Sequence, residues 1–180
     1  MNHIMLDLET MGNGPHAAIT AIGAVAFDPR GEVAPEGFYF PVDLESAMAG
    51  GGVVDASTVL WWMQQSDEAR AMYAQGAVPI ESALRGFARF VKAARVAGAG
   101  WVHVWGNGAA FDNVILRSAY DRSGMEAPWG YRENRCYRTF SAVFDMPEID
   151  FKGVPHNALD DARYQAERLI AAYKRRELIL

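Results

Sequence analysis

Three apolar, strand-like segments fall within the first 42 residues, and every later element has to be arranged around the sheet they force. "HIMLDLET" (3 to 10) and "AAITAIGAVAFD" (17 to 28) are joined by the turn-forming "MGNGPH", so they read as antiparallel strands, and "GFYFPV" (37 to 42) adds a third. The period then changes. "DASTVLWWMQQSDEARAMYA" (55 to 74) reads as a helix N-capped by Asp55. "PIESALRGFARFVKAARVA" (79 to 97) opens on Pro79 and keeps Leu84, Phe87, Phe90 and Val91 at helical spacing. "WVHVWG" (101 to 106) is a compact strand, "AFDNVILRSAYDR" (110 to 122) is helical, "RCYRT" (135 to 139) is one more strand, and residues 157 to 174 form a last helix. Three early strands followed by alternating helices and strands predict an α/β layer fold with a mixed sheet. The glycine clusters at 49 to 52 and 97 to 100 are too short for domain linkers and read as loops.

A chain of 180 residues, 51% hydrophobic, is sized for one globular domain, 1 to 180. No apolar run reaches the roughly 18 residues of a membrane span, and no basic leader with an apolar segment opens the chain, so a soluble, cytoplasmic protein without a membrane partner is expected. Cys136, the single cysteine, excludes an internal disulfide or a cysteine zinc cluster and reads as a small, buried, apolar strand residue. The net charge of −5 argues against a protein that coats nucleic acid through bulk charge. Residues 1 to 90 carry −7 and residues 91 to 180 carry +2, so contacts with a polyanion are expected from the second half.

Asp7 and Glu9 stand two apart on an apolar strand, so the pleat turns both carboxylates to the face shared by Met5, away from Ile4, Leu6 and Leu8. That is costly unless a cation sits between them. Asp112 follows "VHVWGNGAAF", where a strand passes through a glycine-rich turn into a helix; it reads equally as a functional acid at a strand end or as a helix-start acid favoured by the macrodipole. On the last helix, at about 100° per residue, Leu159, Ala162, Ala166, Leu169, Ile170 and Tyr173 form the buried stripe. Asp160 lies on the opposite flank, spaced for surface pairs with Arg163 and, through it, Glu167. Asp161 has Tyr164 and Gln165 at those spacings, with Ala158 and Ala172 on its flank, which favours it only modestly as the acid with a task.

These residues resemble the DEDDh group of 3′ to 5′ exonucleases, an RNase H-like fold built around four acids and a histidine. "DLET" (7 to 10), "NGAAFDNVIL" (107 to 116) and "HNALDDA" (156 to 162) are similar to its three motifs, in order, and the third places the histidine five residues before the last acid, which selects Asp161. Within the group, "LDLETMG", "VDASTVLWWMQQSDEAR" and "PWGYRENRCYRT" resemble a branch of phage exonuclease A-like proteins and bacterial exoribonucleases, over most of the chain. The resemblance implies three antiparallel strands followed by parallel ones, flanked by helices, and two divalent ions, Mg²⁺ or Mn²⁺. It implies that Asp7 bridges both ions, that Glu9 and Asp161 hold the ion on the side of the attacking water, that Asp112 holds the other, and that His156 takes the proton. Hard oxygen donors without cysteine suit that choice of metal.

The expected reaction is release of nucleoside 5′-monophosphates from 3′ ends of RNA or single-stranded DNA. Substrate-binding candidates are Thr10, Met11, Trp62, Asn107, Phe111 and Arg138. Trp129 and Tyr131, beside Arg132, Arg135 and Arg138, read as an aromatic and cationic platform for a strand, or as ordinary strand and surface residues. Of Trp61 and Trp62, about 100° apart on a helix, one is expected in the core and the other at the groove. His3, His16 and His103 have no motif partner and receive no catalytic role. Two other functions fit the same residues: hydrolysis of small dinucleotide-like molecules, and a non-catalytic nucleic-acid-binding module, disfavoured because all five motif residues are present. Relatives include homodimers, but no residue pattern marks an interface.

Overall fold

The computed structural model describes residues 1–71 and 76–176, with the side chain of Arg176 outside that description. Five strands form one sheet: β1 (His3–Thr10), β2 (Ile19–Phe27), β3 (Val33–Pro41), β4 (His103–Gly106) and β5 (Asn134–Cys136), in the order β3-β2-β1-β4-β5. The first three pair antiparallel, and β4 and β5 join parallel to β1, which is the mixed RNase H-like sheet expected. The helices are α1 (Leu44–Ala49), α2 (Ala56–Trp62), α3 (Asp67–Ala71), α4 (Ile80–Ala97), α5 (Asp112–Arg122), α6 (Tyr137–Val143) and α7 (Ala158–Arg176). No described helix is long and apolar enough to cross a membrane.

The pleat of β1 divides the core in two. Ile4, Leu6 and Leu8 pack with α4 and α5 on one face, while Met5 packs with α6 and α7 on the other. Asp7 and Glu9 share the parity of Met5 and therefore lie on the α7 face.

Several boundaries differ from the reading of the sequence, each for a local reason. The helix expected over 55 to 74 is broken at 63 to 66: Asp55 caps α2, accepting from the amide of Ser57 at 2.8 Å, and Ser66 Oγ starts α3 by accepting from Ala69 N at 3.2 Å. Residues 72 to 74 of that expected helix lie outside the described residues. The strand expected over 135 to 139 ends at Cys136, whose Sγ caps α6 by accepting from Thr139 N at 3.3 Å and Thr139 Oγ1 at 3.1 Å. Cys136 is thus a strand residue as expected, the last of β5, but it is partly exposed and acts as a polar cap instead of being buried as an apolar residue.

Two glycines let helices approach the sheet at backbone distance. A Cβ on Gly23, the register partner of Asp7 on β2, would lie 2.1 Å from the carbonyl carbon of Ala158, the first residue of α7. A Cβ on Gly106, at the end of β4, would lie 2.3 Å from Asn113 Oδ1 on α5. Gly23→Ala is therefore expected to push α7 off the sheet and cost about 1–3 kcal/mol or more, as overpacking does. Gly14→Ala, which meets nothing within 4 Å, should change stability by less than about 0.5 kcal/mol. Urea denaturation of the two variants tests this; equal stabilities would mean that α7 does not rest on Gly23.

Candidate active site

The C-terminal ends of β1 and β4 meet the first turns of α5 and α7, and four acids converge there. Asp7, Glu9 and Asp161 each offer an oxygen within 4.8 Å of the others. Asp112 stands beside this trio, where β4 has ended: the β1–β4 ladder stops at the Leu6–Gly106 pair, and the amide of Leu8 donates to Asp112 Oδ1 at 3.2 Å. Its Oδ2 is buried without a partner. Among the described residues no arginine, lysine or histidine forms an ion pair with any of the four.

Burial and mutual repulsion show in the acidities. Asp7 is held well above the usual carboxylate range by burial first and then by the charges of Asp112, Glu9 and Asp161. Burial, then Asp161 and Asp112, push Glu9 up to about 9. Burial carries Asp112 to about 7 against the opposing pull of backbone amides and of Arg138. Asp161 is raised by burial, with its hydrogen bond from the His156 amide opposing.

His156 sits in the loop before α7 with φ at 67°, a left-handed conformation uncommon for a side-chain-bearing residue. Its amide donates to Asp161 Oδ2 at 3.0 Å, which ties the histidine to the acid five residues on. Its imidazole lies edge-to-face against Trp61 at 5.0 Å and Trp62 at 6.0 Å between ring centroids. Asp160 stabilises the same loop, accepting from Val154 N at 2.8 Å. The surface pairing expected of Asp160 is absent: Arg163 instead crosses to the carbonyls of Ala34 and Pro35 on β3, at 3.1 and 3.0 Å. Backbone carbonyls fixed at a strand end outcompete exposed pairs worth a few tenths of a kcal/mol.

The substrate-binding candidates divide between the two sides of the acids. Thr10 is buried, its Oγ1 donating to Gly12 O at 2.7 Å and its carbonyl accepting from Trp62 Nε1 at 2.9 Å. Trp62 is accordingly the inner indole, 4% exposed, and Trp61, at 43%, is the one open to solvent. Met11 packs partly buried beside them, with Asp55 N on its carbonyl at 2.7 Å. On the Asp112 side lie Asn107, whose backbone amide helps to hold the Asp112 pKa down, and the partly buried Phe111 that precedes α5. Arg138, exposed at the start of α6, has Cζ 3.8 Å from where a Gly108 Cβ would stand, and its charge reaches Asp112.

The platform read into "PWGYRENRCYRT" does not assemble. Trp129 is core, 2% exposed, with Nε1 on Asn134 Oδ1 at 2.7 Å. Glu133 anchors the segment by taking two hydrogen bonds from Arg95, at 2.7 and 2.8 Å. Tyr131 and Arg132 stack on each other before β5, level with the start of β1, and it is Arg138, at the start of α6, whose charge reaches Asp112. One site residue lies outside the sequence motifs. Gln165, buried one turn beyond Asp161, donates Nε2 to Asp7 Oδ1 at 2.8 Å; its i+4 spacing from Asp161 was the available signal. Trp61 was interchangeable with Trp62 until α2 fixed the face each presents. His3 and His103 lie at the opposite end of β1, where Trp105 Nε1 donates to His3 Nδ1 at 2.9 Å.

The raised acids give the metal-free protein a definite pH dependence. Folded Glu9 keeps its proton up to about 9, while the unfolded chain releases it near its ordinary value of 4.5. The folded chain thus binds more protons across that interval, and stability falls as pH rises through it. His3, pushed down to about 4 by burial and by His103, acts only on the acid side: the unfolded chain gains its proton below 6.5, so stability is lost as pH falls toward 4. Between pH 6.5 and 9, in chelator, the melting temperature is expected to drop. A rise over that interval would contradict a buried acid cluster.

The family described as "3'-5' exoribonuclease Rv2179c-like domain" matches residues 2–172. An exodeoxyribonuclease of Enterobacteria phage T4 is 35% identical over 97 residues, which cover 50% of this chain and 42% of that protein. The chain spans less than half the length of that relative. Among solved structures, the nuclease domain of 3'hExo, a DEDDh family member, bound to rAMP, superposes with a TM-score of 0.63 at 12% identity, covering 97% of this chain and 92% of that one. E. coli exonuclease I in complex with a dA16 oligonucleotide gives a TM-score of 0.56 at 17% identity, covering 96% of this chain and 41% of that one. At such identities the two structures speak for the fold.

Proposed function

The chain belongs to the 3'-5' exoribonuclease Rv2179c-like domain family, and on that premise we propose that it is a metal-dependent 3′ to 5′ exonuclease releasing nucleoside 5′-monophosphates from RNA or single-stranded DNA. The convergence of Asp7, Glu9 and Asp161 oxygens within 4.8 Å of one another, with Asp112 beside them, carries the reading. Four carboxylates with no ion pair among the described residues are a donor set for hard divalent cations, and the unpartnered Asp112 Oδ2 is the kind of buried atom that a cation satisfies. Asp7, Glu9 and Asp161, with Asp112 beside them, would hold the divalent ions, Mg²⁺ or Mn²⁺. Bound there, such ions would lower the pKa of a coordinated water and neutralise charge on the leaving oxygen.

The rest of the chemistry falls to the chain. His156 has ring nitrogens without a hydrogen-bond partner among the described residues, so its imidazole is available to accept a proton from the attacking water. Its backbone is held by Asp161 and its ring packs against two indoles. Thr10, Met11, Trp62, Asn107 and Phe111 would form the walls for the terminal nucleotide, with exposed Trp61 offering a stacking face and Arg138 a charge for the backbone. The family description and the phage relative name different sugars, so both polymers remain within the proposal. A cytoplasmic location suits the free Cys136; a homodimer rests on the family resemblance alone.

Matched RNA and DNA oligonucleotides labelled at the 5′ end should shorten stepwise in Mg²⁺ or Mn²⁺, and a circular single strand should resist. His156→Ala should lower the rate by about 10²–10⁴-fold while calorimetry shows metal binding nearly unchanged. Rapid cutting of the circle would contradict an exonuclease, and loss of metal binding in His156→Ala would contradict its assignment as the proton acceptor.

A further inference from the structure

Gln165 is a polar side chain where packing calls for an apolar one. It is 5% exposed, and its helical neighbours Ala162, Ala166 and Leu169 are fully buried. Its Nε2 donates to Asp7 Oδ1 at 2.8 Å, whereas its Oε1 is buried without a donor. A buried amide with half its hydrogen-bonding capacity unused is kept for what the other half does. Here that half holds the carboxylate assigned to bridge the two cations.

We propose that Gln165 is a positioning residue that fixes the Asp7 carboxylate for cation binding without contributing charge of its own, an inference that rests on the metal-dependent reading of the site. The reasoning turns on which side chains could do this. Lysine or arginine would also donate to Asp7 but would bring a positive charge into the acid cluster and compete with the cation. Glutamate in its charged form has no proton to donate and adds a fifth like charge. An aliphatic residue fills the space and leaves Asp7 free to turn. A carboxamide is the neutral donor that orients the acid and leaves the demand for positive charge unmet. Its placement is shared with a ligand: Asp161 and Gln165 stand one turn apart on α7, which rests on Gly23, the register partner of Asp7. One helix, seated at backbone distance, thereby delivers both a carboxylate and the group that aligns another.

Gln165→Met keeps the length and removes the donor; Gln165→Lys keeps a donor and adds charge. Mn²⁺ affinity by calorimetry and melting temperature in chelator separate the roles. Gln165→Met is expected to melt within about 5 °C of the parent without metal and to bind Mn²⁺ about 10–100-fold more weakly, as loss of groups that orient metal ligands does. Gln165→Lys is expected to melt higher than the parent in chelator and to show no measurable Mn²⁺ binding. Parent-like Mn²⁺ affinity in Gln165→Met overturns the proposal; should that variant not fold, parent-like affinity in Gln165→Lys does so. A parent protein that itself binds no Mn²⁺ would instead overturn the metal-dependent reading.

Discussion

Repulsion among four carboxylates held out of bulk water is the constraint that the surrounding structure answers. Like charges a few ångströms apart in a partly desolvated site raise one another's proton affinity, which is what the directions for Asp7, Glu9, Asp112 and Asp161 express. A fold that keeps them together must anchor each through its backbone. Asp7 and Glu9 are fixed by the pleat of the central strand, and Asp112 by the amide of Leu8 just past the point where β4 stops pairing. Asp161 is fixed by α7, whose first residue lies against Gly23.

The second strained element is the loop that presents His156. A left-handed histidine, a neighbouring glycine at φ 110°, and hydrogen bonds back to both Asp160 and Asp161 define a short segment wound around the first turn of α7. Its geometry couples the histidine to the acids: moving α7 moves Asp161, Gln165 and the support of His156 together. The adjacent aspartates therefore do different jobs at one helix start, Asp160 shaping the loop and Asp161 facing the acid cluster.

The sheet and the acids were legible because their signals are short-range and periodic. Alternation along β1 places Asp7 and Glu9 on one face from the sequence alone, and the motif spacing selected Asp161 where helix geometry had only leaned toward it. What stayed illegible depended on distant partners. The pinning of the Trp129 segment by Arg95, 38 residues before Glu133, has no local signal, so a core tryptophan reads equally as a nucleic-acid platform. Arg163 finds carbonyls on β3 that no helical spacing reveals. Gln165 stands in the sequence only as a non-basic residue four beyond Asp161, and the sheet is what puts Asp7 within its reach. The short helices α1 and α6 follow from local caps, Asp43 accepting from Ser46 N at 3.0 Å and Cys136 from Thr139, which are visible in sequence only once the preceding strand ends are known.

The central claim is that this acid cluster is a cation site with Asp7 at its centre. Thermal melts of the parent and of Asp7→Asn, each in chelator and in saturating Mn²⁺, test it without reference to substrate. Removing one of the repelling charges should leave the metal-free variant as stable as the parent or more so, and should abolish most of the stabilisation that Mn²⁺ gives, since ligand stabilisation follows affinity for the folded state. Equal Mn²⁺-induced shifts in the two proteins would contradict the account and remove Asp7 from the site.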